Sequence, residues 1–157
     1  MAKVRPTWIS FGGTAAIVTS MGLILGLDAA NTSRQTIVGA LLIVALADNL
    51  SDSLSVHAYQ EAEGLERREA FLSTAANFVT RLLVASTFVA MVVALPHEWL
   101  PVAACAWGFA LLALLTHRLA RARDAPVAKE VAKHVVVAAL VLAVSRWVGT
   151  WISGSFA

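Results

Sequence analysis

Charge is scarce in this chain of 157 residues, and cysteine is scarcer. The single thiol, Cys105, sits inside an apolar run, so no intrachain disulfide can form and the redox compartment cannot be read. There is no glycine-rich phosphate loop, no Cys/His pattern at metal-ligand spacing and no recognisable nucleophile–base pairing. These absences argue against an enzyme. Asp48 and Asp52 do share the Asp-x3-Asp spacing of membrane phosphotransferases. Those enzymes need a further Asp-Gly and Ala-Arg segment upstream, and this chain lacks it. The net charge of +2 does not point to nucleic acid, because the basic residues flank apolar segments, where they act as topology signals.

Hydrophobic residues make up 59% of the chain and charged ones only 14%. The mean hydropathy of +0.74 is far above that of a soluble domain. The charges are clustered and leave apolar runs that reach the roughly 20 residues a helix needs to cross a bilayer. The basic start, MAKVRP, precedes a run too long for a signal-peptide core and without a convincing cleavage site, so the run reads as a retained first span. The sequence predicts an all-α integral membrane protein, one domain over 1–157, with five spans near 8–27, 36–58, 71–95, 99–119 and 131–152. Pro96, Pro101 and Pro126 fall where these helices should break.

Lys3, Arg5, Arg67, Arg68, Arg118, Arg121, Arg123, Lys129 and Lys133 all fall on one side of such a bundle, and only Arg34 on the other. That asymmetry predicts an inside N-terminus and an outside C-terminus. Arg81 and Arg146 lie within spans. Arg146 can snorkel to the headgroups beside Trp147. His97, His117 and His134 have no second ligand nearby in sequence and read as polar edges.

The anomaly is the second span and its exit, Ala45–Glu69. On a 3.6-residue helix, Asp48, Ser51, Asp52, Ser55 and Tyr59 share one stripe, which Asn49 and Ser53 widen, while His57 points nearly opposite. Carboxylates at membrane depth mark a pathway or a buried partner. A partner is available in the third span, where Thr74, Asn77 and Arg81 recur at helical spacing. Arg81 lies roughly 15 Å into that helix and so level with the aspartates. One arginine cannot neutralise two aspartates, so a site with negative excess is expected. A pair of carboxylates sharing a site tends to hold one proton, which suits cation–proton exchange. Beyond the membrane, Glu63, Glu66 and Glu69 are either a solvated face or an acidic cytoplasmic entrance. Gly22-x-x-x-Gly26 in the first span permits close helix approach, within the chain or between two copies. Asp28 ends that span as a boundary residue.

Three segments carry a family resemblance. Phe11–Ala30, FGGTAAIVTSMGLILGLDAA, resembles the first span of the vacuolar iron transporter family. Asp52–Glu63, DSLSVHAYQEAE, resembles the end of its second span, and Ala143–Ile152, AVSRWVGTWI, its closing span. The resemblance implies a homodimer that moves Fe²⁺ or Mn²⁺ as substrate against protons, with no permanently bound cofactor. Asp48 and Asp52 would be the cation and proton ligands, Ser51 and Ser55 added oxygen ligands, and Arg81 with Asn77 the charge partners. The family's Asp-Gly pair in the first span is replaced here by Ala15–Ala16, and its second-span Met and Glu fall on Asp48 and Asp52. The family's long cytoplasmic insertion is absent. An aspartate in place of methionine hardens the site toward Mn²⁺. The Ala- and Arg-rich composition suggests a prokaryotic cytoplasmic membrane. Two alternatives stand beside this reading: a non-transporting scaffold locked by an Asp–Arg cluster, and a transporter of another substrate on the same frame.

Overall fold

Apolar residues at helical spacing run through every long segment, and each such segment is helical in the computed structural model, which describes residues 6–156, with side chains from Gly12 onward. Lys3 and Arg5 lie outside the described residues. The elements are α1 (Pro6–Ala29), α2 (Arg34–Ile43), a π turn (Val44–Asp48), α3 (Asn49–Ala62), α4 (Arg67–Ala94), a short 3₁₀ turn (His97–Trp99), α5 (Leu100–Ala122) and α6 (Val127–Ser155). Since α2, the π turn and α3 form one continuous rod, five helices among the described residues are long and apolar enough to cross a membrane. This is the build of an integral membrane protein. The rod outruns the sequence-based second span at both ends, and Pro101 opens α5 from within its first turn instead of closing the preceding loop.

The first helix is the axis of the bundle. Ile17, Met21 and Ile24 recur at steps of four and three and are fully buried, with α2, α4, α5 and α6 packed around them. Glycines let those neighbours approach. Gly108 of α5 faces the Met21 side chain, and a Cβ there would collide with its sulfur. Gly22 and Gly26 face Ser145 of α6, while Gly149 of α6 rests on the backbone of Gly26. The small-xxx-small pattern of α1 is therefore used for packing within the chain. By contrast α6 buries only Ala138, Leu142 and Gly149, and turns Val136, Leu140, Val144, Trp147 and Trp151 outward, as a lipid-facing helix does.

Successive spans run antiparallel, so the turns gather at two ends. At one, Asn31 Nδ2 donates to Ser153 Oγ (2.8 Å), His97 Nε2 lies 3.3 Å from Asp28 Oδ1, and Arg34 donates to the carbonyls of Val93 and Leu95. That arginine supplies donors to the unpaired carbonyls at the end of α4, where a cation also suits the helix dipole. Asp28 and His97, read from sequence as unremarkable edges, meet here across α1 and the α4–α5 connection. At the other end lie the α3–α4 turn, closed by Gly64 at φ 79°, and the α5–α6 turn, where Asp124 takes φ 52°.

Candidate functional site

Inward-facing residues along the second rod are Ile37, Leu41, Ala45, Asn49 and Ser53, spaced strictly by four. A regular α-helix would rotate such a row by about 40° at each step, because 3.6 residues complete a turn. The π turn at Val44–Asp48 winds more slowly and takes up much of that drift, keeping the whole row against the bundle. Asn49, fully buried, donates from Nδ2 to the Phe78 carbonyl of α4 at 2.9 Å, and Ser53 Oγ points at Asn49 Oδ1 at 3.5 Å. Further along, Gln60 Nε2 donates to Ser73 Oγ at 2.7 Å, and His57 Nδ1 lies 3.4 Å from Thr74 Oγ1. Asn49 and Ser53 thus belong to the face toward α4, together with His57, and do not widen the aspartate stripe.

That stripe faces the other way. Ser51, Ser55 and Tyr59 are exposed, and the side chains of Asp48 and Asp52 are 56% and 30% exposed. From α4, the buried Arg81 side chain (7% exposed) reaches between them. Its Nη2 meets Asp48 Oδ2 at 2.6 Å and its Nη1 meets Asp52 Oδ2 at 2.7 Å. Each carboxylate takes one arm of the guanidinium, a fork that lysine could not form. The second oxygen of each carboxylate lies outside these two bonds. Two carboxylates on one guanidinium leave one negative charge in excess, about 20 Å along the helix from Arg34.

Behind the pair the packing is tight and partly unsatisfied. Asn77, buried one turn before Arg81, lies against Gly12 of α1, as does the Cγ of Arg81. Among the described residues neither side-chain polar atom of Asn77 has a hydrogen-bond partner, the aspartates included. A void of ≈ 10 Å³, about the room of one water, lies among Thr19, Ser20, Asn49 and Arg81. Ala16, at one of the two positions matched to the family's Asp-Gly pair, also borders it.

The other singled-out residues lie elsewhere. Glu63 and Glu66 are exposed in the α3–α4 turn and Glu69 is half-buried in the first turn of α4. Glu61 makes the local contacts there, 3.6 Å from both His57 Nε2 and Arg67 Nε. Among the described residues no group of three or more His, Cys, Asp or Glu side chains is placed to hold a metal ion. An apolar groove of ≈ 440 Å³ runs along the α1–α6 seam beside Gly22 and Ser145, and none of the aspartates lines it. Sequence reasoning missed the inward row of Asn49 and Ser53, although its strict four-residue spacing was there to find. No protein-family model, curated protein or solved structure matches this chain.

Proposed function

We propose that the chain is a divalent-cation transporter, exchanging Fe²⁺ or Mn²⁺ for protons as a homodimer in a prokaryotic cytoplasmic membrane, with its N-terminus inside. The observation that carries this reading is the outward, partly exposed Asp48–Arg81–Asp52 cluster halfway along a membrane span. A net negative charge at that depth is not left facing lipid, and needs either water or protein over it. A second copy presenting the same face of α3 would cover it and bring four carboxylates and two arginines together. This choice of dimer face is supported by the packing of Gly22 and Gly26 against α6 within the chain. Asp48 and Asp52 supply hard oxygen donors, Ser51 and Ser55 lie beside them, and the set favours oxygen-seeking cations such as Mn²⁺. Glu63, Glu66 and Glu69 draw cations to the same end as the basic turns. No enzymatic step and no resident cofactor enter this reading.

Uptake of Mn²⁺ and Fe²⁺ into proteoliposomes under a pH gradient tests it. The parent should accumulate cation, and Asp48→Asn and Asp48→Asn with Asp52→Asn should not. Transport by the double variant equal to the parent would remove these residues from the site. The second reading, a scaffold in which the cluster only locks α3 to α4, draws on the two short bonds of Arg81 and the absence of a three-ligand set among the described residues. It requires that no cation be taken up by the parent under any gradient.

A further inference from the structure

At the basic end of the bundle a second cleft, ≈ 240 Å³, opens between the last turn of α5 and the first turns of α6. It is walled by Thr116, Leu119 and Ala120 on one side, by Glu130 and His134 on the other, and closed by Arg123 at the turn. We propose that this cleft binds the phosphodiester headgroup of an anionic membrane phospholipid.

Four features converge on an anion. Glu130 is already engaged by Lys133 Nζ at 2.7 Å, so its charge is locally answered, whereas Arg123 makes no ion pair among the described residues. The α5–α6 connection also carries Arg121 and Lys129 outside the cleft, likewise without ion pairs among the described residues, against one further carboxylate, Asp124, while Arg118 lines a separate groove beside Gly13 and Thr80. The Thr116 side chain is buried in the cleft wall and its hydroxyl has no hydrogen-bond partner among the described residues, a donor left over inside the protein. The ring of His134 is fixed through Nδ1 to the Glu130 carbonyl at 2.8 Å, which leaves Nε2 for a ligand. Finally, α6 begins at Pro126 without any side-chain cap, so the positive end of a 29-residue helix dipole lies at the same turn.

Size and place select a lipid over a soluble phosphate. The cleft is smaller than a nucleotide or drug-sized site, and its walls are apolar at Leu119 and Ala120. Below it, on the face of α6 that carries Glu130 and His134, the helix continues as an exposed valine surface, Val137, Val141 and Val144, along which acyl chains would lie. Basic clefts between spans at a membrane surface suit anionic headgroups. Nothing in this site depends on the aspartate cluster or on transport.

The test is native mass spectrometry and thermal melting of delipidated full-length protein in detergent, titrated with phosphatidylglycerol, phosphatidylcholine or inorganic phosphate. Phosphatidylglycerol should bind and raise the melting temperature, and phosphatidylcholine and phosphate should do so far less. Arg123→Gln should weaken phosphatidylglycerol binding about fivefold, the effect expected of one basic side chain at an anionic surface. Arg121→Gln, which removes the same charge outside the cleft, should leave it nearly unchanged. Thr116→Val should also weaken binding while melting like the parent in phosphatidylcholine. Equal binding of the two lipids, equal losses in the two arginine variants, or equal protection by inorganic phosphate would each overturn the proposal.

Discussion

The rod through the middle of the sequence carries two polar faces that treat their polar groups in opposite ways. On the inward face Asn49, Ser53 and Gln60 each meet a named group, and the first two are almost wholly buried. On the outward face Ser51 and Ser55 are exposed, and Ser55 Oγ bonds to the Ser51 carbonyl of its own helix. Asp48 and Asp52 share a single arginine that comes from inside the bundle. The inward face is architecture: Asn49 and Gln60 hold α3 to α4, and Ser53 supports Asn49 from the next turn. The outward face is held at one point and otherwise open, as expected of a surface that meets a partner, water or a cargo.

The sharpest way to break this contrast is at the shared arginine. Asp48→Asn with Asp52→Asn leaves the Arg81 guanidinium buried without a counter-charge. Removing the partners of a buried charge costs about 3 kcal/mol or more, so the double variant should melt well below the parent in detergent, by circular dichroism or dye binding. A melting point equal to the parent would mean that the arginine finds other partners. A smaller effect is expected on the inward face. Asn49→Leu loses the bond to the Phe78 carbonyl at little change in volume and should cost about 1 kcal/mol. The smallest belongs to the outward serines. Ser51→Ala with Ser55→Ala should shift stability by no more than about 0.5 kcal/mol yet reduce cation uptake in the proteoliposome assay. If the serine pair proves as destabilising as Asn49→Leu, the two faces do not differ in kind.

Much of this could be read from sequence for a simple reason: bilayer thickness and backbone satisfaction leave few options for a chain this apolar. The five spanning helices followed from hydropathy alone. The level of Arg81 relative to the aspartates followed from counting residues along two antiparallel helices, since the rise per residue is fixed. What escaped was rotational. Asp48 and Asn49 are neighbours in sequence yet face outward and core, and which of them lines up with Ile37 and Leu41 depends on a π turn written in VALAD, residues that suit a regular α-helix equally well. Gly22 and Gly26 announced a close approach but not which helix would make it, because glycine spacing specifies a groove and not its occupant. The Asp28–His97 contact joins residues far apart in sequence across two connections, which no local pattern records.

The π turn has one more consequence. A rod wound from residues behaves like a screw, in which the count of threads between two marks sets their relative bearing. Here one mark is the Ile37–Leu41–Ala45 ridge seated on α1 and α4, and the other is the acidic pair facing Arg81. The wide turn between them is the shim that brings both to bearing at once. Winding Val44–Asp48 as regular α-helix with every residue kept would turn one mark away from the other by nearly one residue's rotation of about 100°, and removing one residue along with that change would bring the two marks back close to their bearing. In this stretch residue count and winding are matched to each other, so a deletion among Val44–Ala47 that regularises the turn should keep Asp48 and Asp52 facing Arg81.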